Sequence, residues 1–150
     1  MTGYGKRVLI VEHDEGERDV LSLMLENEGY NVHMVSEEGL ALEELKRRRF
    51  DVVVTAHHMP HINGFRLVLV GRLVWPDTPM ILLSGNDSNL SETAEQGGAS
   101  GSLRKPYIFG ELLGLMEHVI QLTRRRRSTH RNPSGCPRDM GDDVVRSMNI

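Results

Sequence analysis

Short apolar runs alternate with longer amphipathic segments along most of the chain. The runs are rich in valine, isoleucine and leucine and end at turn residues, which is typical of buried strands. The segments between them repeat apolar residues at helical spacing. The predicted strands are residues 7–12, 30–35, 52–56, 80–83 and 101–104, and the predicted helices are about residues 14–28, 36–48, 64–75, 91–96 and 107–125. Strands separated by helices imply right-handed crossovers, so the pattern predicts an α/β fold with a parallel sheet.

Capping signals locate the starts of two helices. Asp14 and Glu17 have the spacing of a capping box at the start of the first helix, and Gly29 follows its end. Ser36 is the predicted N-cap of the second helix. The apolar face predicted for the first helix is Val20, Leu21, Met24 and Leu25, and that of the last helix is Leu112, Met116 and Val119.

Composition limits the classes of protein that fit this pattern. The chain has 150 residues, of which 39% are hydrophobic and 26% charged, enough for one domain with a core. Since it has no apolar run long enough to span a membrane and no apolar signal region, we expect no membrane partner and a cytoplasmic location. The single Cys136 excludes a disulfide framework.

Charge divides the chain near its end. Residues 1–123 carry 11 Lys and Arg against 18 Asp and Glu, whereas residues 124–150 carry 7 against 3. The change occurs at a run of four arginines, residues 124–127, and the polar sequence after it predicts a basic, disordered tail over residues 125–150. The arginines suit the solvated end of the last helix, and a contact with nucleic acid is the less favoured alternative.

The stretch DVVVTAHHMPHINGF, residues 51–65, carries the most specific pattern. A buried strand ends in a polar loop that closes on Gly64, and chemistry in such folds lies at that edge of the sheet. The spacing of Met59, Pro60 and Gly64 resembles that of the bacterial response-regulator receiver domain. That family carries its phosphate on an Asp four residues before the proline, where this chain has Ala56.

The resemblance extends over about residues 6–122, which predicts a receiver domain at residues 6–124. It includes a hydroxyl at Ser84, the pair Gly98 and Ala99, and the Lys105-Pro106-Tyr107 motif. The resemblance implies a flavodoxin-like (βα)5 three-layer sandwich whose five parallel strands have the order 2-1-3-4-5, with a cis peptide bond before Pro106. This order brings together the residues that follow strands one, three, four and five. They are Glu12, His13, Asp14, Ala56, His58, Ser84 and Lys105.

Several of these positions depart from the family pattern. An acidic pair after the first strand holds Mg²⁺ in active receivers, but this chain has Glu12 and His13, so we expect the Mg²⁺ site to be lost and no cofactor to bind. Ser84 and Lys105 would contact phosphoryl oxygens in the family. We expect them instead to form a strand-end hydrogen bond and an ion pair with Glu12 or Asp14. The family's aromatic switch residue is replaced by Ser102.

Histidines near this edge raise the alternative of a soft metal such as Zn²⁺. Adjacent histidines in an extended segment point in opposite directions, so a three-ligand set is hard to assemble, and no metal is predicted. The candidates are His13, His57, His58 and His61.

The third helix is unusually apolar. Leu69, Leu73 and Trp75, with Val70 and Val74, lie where receivers carry charged residues, which predicts an exposed patch that contacts a partner or a second copy. The alternative is a rotated helix that buries Val70 and Leu73.

The residues together predict a degenerate, stand-alone receiver in two-component or phosphorelay signalling. It would act by protein interaction without phosphorylation, would not be an enzyme, and would bind a sensor kinase, another signalling protein or a second copy. One alternative is a true phosphoacceptor receiver, either one whose acceptor Asp was replaced, leaving Ala56, or one that uses a noncanonical acceptor. The other is a protein that contacts nucleic acid through its arginine-rich tail.

Overall fold

The computed structural model describes residues 3–56, 64–85 and 99–129, with only the backbone for residues 64, 65 and 127–129. Strands and helices alternate along these residues. They are β1 (Arg7–Val11), α1 (Glu15–Asn27), β2 (Asn31–Val35), α2 (Glu38–Arg47), β3 (Val52–Ala56), α3 (Gly64–Val74), β4 (Met80–Ser84), β5 (Gly101–Arg104) and α4 (Phe109–Thr129).

The five strands form one parallel sheet in the order β2-β1-β3-β4-β5. Every residue of β3 and β4 is buried, whereas β2 and β5, at the two edges, are only partly buried. This explains the continuous apolar runs of the central strands, because helices cover both faces of the sheet. The flavodoxin-like fold predicted from the sequence is confirmed.

Two apolar cores lie on opposite faces of the sheet, which makes the three layers. One face packs α2 and α3 against Leu9, Val11 and Val53. The other packs α1 and α4 against Val8 and Ile10. Alternate residues of a strand therefore contact different pairs of helices, as the period of two requires.

The helix starts follow the capping predictions only in part. Asp14 is the N-cap of α1 and its side chain accepts a hydrogen bond from the Glu17 amide at 2.8 Å. The prediction that Ser36 caps α2 is wrong, because the N-cap is Glu37 and its side chain makes no capping bond. Starting α2 one residue later places the Glu38 side chain inside the protein, so tertiary packing has overridden the local capping preference.

Helix α3 packs close to the sheet at Gly71. A Cβ atom at this position would collide with the Sδ and Cε atoms of Met80, the first residue of β4. The missing side chain of Gly71 therefore makes room for the Met80 side chain.

The last helix is longer than predicted. It continues to Thr129, so the four arginines at residues 124–127 lie in α4 and not in the tail. The remaining tail, residues 130–150, and the short helix predicted near residues 91–96 lie outside the described residues. Among the helices that the structure describes, none combines the length and apolar character needed to cross a membrane.

Candidate functional site

The carboxyl ends of four strands meet at one edge of the sheet. In the strand register, Val11 pairs with Thr55, Ala56 with Leu83, and Ser84 with Arg104. Glu12, Ala56, Ser84 and Lys105 therefore lie at neighbouring strand ends, as the sequence predicted. We call this region the crevice.

Ala56 is the last residue of β3 and is buried at the floor of the crevice. The Thr55 hydroxyl beside it donates to the Ala56 carbonyl at 3.2 Å. A methyl group has no lone pair with which to attack phosphorus. Strand β3 thus has, at the family's acceptor position, a side chain that cannot accept a phosphoryl group.

Lys105 is held in the crevice by two carboxylates. Its Nζ lies 3.4 Å from Oε2 of Glu12 and 2.5 Å from Oε2 of Glu17. Burial alone would lower the pKa of Lys105, but the hydrogen bonds and negative charges of Glu17 and Glu12 outweigh it and hold this pKa above its usual value. The crevice lysine is therefore a cation that already has its counter-ions.

The second partner, Glu17, was missed by the sequence analysis, which proposed Asp14. In a capping box the Glu would reach back to the N-cap amide, but the Asp14 amide donates instead to Oε1 of Glu12 at 3.2 Å. This leaves the Glu17 carboxylate available for Lys105, which follows β5 and is distant in sequence. The capping-box spacing concealed that second role.

Both the carboxylate and the backbone carbonyl of Glu12 accept hydrogen bonds. Its side chain is 6% exposed, and its two carboxylate oxygens accept from the Asp14 amide and from Lys105. Its carbonyl accepts from Nη1 of Arg18 at 3.0 Å. A buried carboxylate whose two oxygens both have donors orders the turn around it.

Ser84 and Ser102 have structural contacts. The buried Ser84 hydroxyl donates to the Leu103 carbonyl at 3.4 Å, and the Lys105 amide donates to the Ser84 carbonyl at 2.8 Å. Ser102 is half-buried in β5, beside Leu82 of β4. The peptide bond between Lys105 and Pro106 is cis.

The side chains of the crevice do not fit the Mg²⁺ ion that this fold binds in active receivers. Both oxygens of Glu12 accept from protein donors, His13 is an exposed imidazole, and Ala56 offers no oxygen. Within residues 3–56, 64–85 and 99–129, no group of three or more His, Cys, Asp and Glu is arranged to hold a metal. His57, His58 and His61 lie outside the described residues, so the alternative of a soft metal is untested.

A groove of about 640 Å³ adjoins the Lys105 ion pairs, between α1 and the segment that leads from β5 into α4. Val20 and Met24 line it, together with Tyr107 and Phe109. This corrects the predicted inner face of α1. Leu21 and Leu25 are buried, whereas Val20 and Met24 face the groove and stay exposed.

The exposed patch of α3 is smaller than predicted. Leu69 and Leu73 are 38% and 67% exposed, but Val70 and Val74 are buried. Trp75 is half-buried and packs against the core, so it does not belong to the patch. The alternative in which Leu73 is buried is also wrong. The helix presents one pair of leucines, four residues apart on one face.

Comparisons with known proteins agree with this geometry. The family model described as "Response regulator receiver domain" matches residues 8–117. A curated relative, the two-component response regulator ORR23 of Oryza sativa subsp. indica, is 37% identical over 131 residues, which is 83% of this chain and 18% of that protein. The chain thus spans about a fifth of that relative's length.

Solved structures show the same architecture. The signal receiver domain of an HD domain-containing protein from Pseudomonas fluorescens Pf-5 has a TM-score of 0.76 and 26% identity, covering 83% of this chain and 93% of that one. The beryllofluoride-activated NtrC4 receiver domain dimer has a TM-score of 0.73 and 27% identity, covering 82% and 99%. The family match and the strand order establish that this chain belongs to the response regulator receiver domain family of two-component systems.

Proposed function

We propose that this receiver domain acts in two-component signalling as a protein-interaction module that is not phosphorylated on an aspartate. The observation that carries the proposal is Ala56 at the carboxyl end of β3, at the family's acceptor position. Without a carboxylate there, the covalent step of the family has no acceptor atom.

The contacts of the remaining crevice residues support the same function. Lys105 is paired with Glu12 and Glu17, and the Ser84 hydroxyl donates to a backbone carbonyl. These are the two side chains that the resemblance assigns to phosphoryl oxygens. Since both have protein partners, neither depends on a phosphate for a contact, and the proposed domain is neither an enzyme nor a Mg²⁺-binding protein.

The partner surface that we propose is the pair Leu69 and Leu73 on α3. Both side chains are exposed, although α3 is otherwise well packed on the sheet. Exposed leucines on one helix face favour a partner with an apolar contact surface, either a sensor kinase or another signalling protein. Self-association is the alternative, and the NtrC4 receiver domain, which has the same fold, is described as a dimer.

A second candidate function is that of a true phosphoacceptor receiver whose aspartate has been replaced. The favouring observation is that Glu12, Ser84 and Lys105 still converge at the end of β3. This candidate predicts that a single substitution at Ala56 restores the chemistry. The proposed function predicts that it does not, because His13 remains where the family has a metal ligand.

The test compares the parent chain, Ala56→Asp, and Ala56→Asp combined with His13→Asp. We would measure Mg²⁺ affinity by calorimetry, because Trp75 lies at the end of α3 remote from the crevice and would report poorly. Acid-labile phosphate would be measured after exposure to a small-molecule phosphodonor.

We expect no labelling of the parent, little labelling of the single variant, and recovery of Mg²⁺ binding and then labelling in the double variant. Cation binding comes first because it neutralises the charge of the transferring group. A single variant that binds Mg²⁺ and is labelled as fast as the double variant would favour the second candidate. A labelled parent would refute the proposed function.

A further inference from the structure

A second cavity lies at the amino edge of the sheet, opposite the crevice. Because the helices of a parallel α/β sheet run opposite to its strands, α3 and α4 both end at this edge. The cavity has a volume of about 410 Å³. The side chains that matter here are Arg72, Trp75, Thr78, Met80, Ser100 and Arg126.

The polar groups of this pocket are hydrogen-bond donors from separate elements. Arg72 is in the last turn of α3, and Arg126 is near the end of α4. Thr78 and Ser100 add two hydroxyls. The Ser100 Oγ accepts from the Met80 amide at 3.3 Å, so its hydroxyl hydrogen is left to donate. Two guanidinium groups and two hydroxyls form a donor set suited to phosphate.

The balance of charge agrees with an anionic ligand. Among the described residues that line the pocket there are two arginines and no acidic side chain. Asp77 lies in the turn between Trp75 and Thr78, so the charged side chains of this region are two arginines and one carboxylate. The two arginines also face the negative dipole ends of α3 and α4. Arg126 and Asp77 each have another interaction, so a ligand must compete with existing contacts.

Apolar and aromatic side chains also line the pocket. They are Trp75, Pro76, Val68 and Met80, of which Val68 and Met80 are buried. The indole of Trp75 is half-buried and packs against the core, which restricts its motion. Because an aromatic ring can stack on a nucleobase, Trp75 is the side chain of this pocket that a heterocyclic ligand would contact.

A simpler explanation accounts for only part of this arrangement. Arginines near helix C-termini are favoured by the helix dipole, and Arg72 and Arg126 both occupy such positions. The dipole does not explain why both line one cavity together with two hydroxyls and an indole. A volume of about 410 Å³ also falls in the range typical of small-molecule sites, roughly 300–1,000 Å³.

We propose that this pocket binds a nucleotide, with the phosphate on Arg72 and Arg126 and the base against Trp75. The site is separate from the crevice and does not depend on the function proposed above. The contributions of the nucleoside and of the phosphate can be separated with three ligands: adenosine 5′-monophosphate, adenosine and inorganic phosphate.

The test uses the full chain and the fluorescence of Trp75, its only tryptophan. We expect adenosine 5′-monophosphate to quench this fluorescence in a saturable way, with an affinity at least about fivefold higher than that of adenosine or phosphate alone. Arg72→Gln and Arg126→Gln should each weaken binding about fivefold, the upper range for an exposed ionic contact. Arg47→Gln, which removes an exposed arginine from the last turn of α2, should leave binding unchanged.

Three results would overturn the proposal. The first is equal binding by the parent and the Arg72→Gln variant, measured by calorimetry. The second is binding of phosphate alone as tight as that of the nucleotide, which would leave the indole no role. The third is binding of a single-stranded oligonucleotide, but not of the mononucleotide, with an affinity that falls steeply with salt and survives Arg72→Gln, which would assign the arginine run to nucleic acid instead.

Discussion

Glu12 and Glu38 are both buried carboxylates, at 6% and 4% exposure, but their surroundings are opposite. Glu12, in the crevice, accepts from the Asp14 amide and from Lys105. Neither carboxylate oxygen of Glu38 has a hydrogen-bond partner among the described residues, although Nε of Arg66 on α3 lies 3.6 Å from Oε1. Equal burial therefore corresponds to unequal energetic cost, because desolvation is compensated by hydrogen bonds at only one of the two sites.

The two carboxylates also differ in how many parts of the chain each one connects. Glu12 links the turn between β1 and α1 to the segment after β5, which is distant in sequence. Glu38 touches one exposed arginine across the α2–α3 interface. The crevice is thus a well-satisfied part of the fold, because Glu12 and Lys105 hold its geometry through their own contacts.

The largest expected effect is that of Glu12→Ala. It leaves the partly buried Lys105 with one exposed counter-ion and removes the acceptor of the Asp14 amide. We expect a loss of about 2 kcal/mol in the free energy of unfolding, less than for a fully buried pair because Lys105 is partly solvated. Urea unfolding followed by circular dichroism measures it.

The matched control for that substitution is Glu17→Gln. It removes the other, exposed carboxylate from the same lysine and should cost less than about 1 kcal/mol. Equal losses in the two variants would show that burial does not distinguish them.

Glu38→Met is expected to have the opposite sign. The side chain has a similar volume and needs no hydrogen bonds, so the variant should be more stable by about 1 kcal/mol at pH 7. The gain would be measured by the same urea unfolding. A less stable variant would show that the Arg66 contact outweighs the desolvation of Glu38.

The contribution of Glu38 to the stability of the fold should also depend on pH. Burial raises the pKa of Glu38 above its ordinary value of 4.5, and the positive charge of Arg66 only partly opposes this. The folded protein therefore holds a proton at pH values where the unfolded chain has lost it. The stability contributed by this group is fully present below pH 4.5 and falls as the pH rises through the raised pKa.

Comparison of the parent with Glu38→Met isolates this dependence. Other titrating groups contribute equally to both proteins, so the stability advantage of the variant should grow as the pH increases from 4.5 to 7. Thermal or urea unfolding at four pH values within this range gives the difference. If the stability difference between the two proteins does not change with pH, it arises from packing and not from the charge of Glu38.

The sequence predicted the sheet, its order and the convergence at the crevice, because long apolar runs and a specific motif spacing are independent of side-chain detail. It did not predict the Glu17 contact with Lys105, since that pair joins residues on α1 and after β5 and the capping pattern offered Glu17 a local role. The sequence also did not predict the burial of Glu38. An acidic residue in the first turn of a helix is usually solvated, but this one is buried where α2 packs against α3 and the sheet.

The patch on α3 shows the limit of periodicity arguments in another way. Five apolar residues in a row of seven do not reveal which of them face the sheet. In the structure, Met80 fills the space beside Gly71, and Val70 and Val74 on the same helix are buried. Leu69 and Leu73 are thereby left on the outer face.

The smallest expected effect on stability is that of adding carboxylates where water can solvate them. Replacing both Leu69 and Leu73 with Glu should change the free energy of unfolding by less than about 1 kcal/mol, since each position is exposed and neither new charge is desolvated. The same substitutions should weaken self-association or partner capture at least about tenfold, because a charge buried at an interface loses its hydration.

Sedimentation over a range of concentrations and pull-down with the parent as reference measure the binding effect, and Leu23→Glu on the exposed face of α1 is the matched control. An unfolded double variant would place these leucines in the core. A folded variant whose association is unchanged would remove α3 as the contact surface, and the search would move to the apolar groove beside α1.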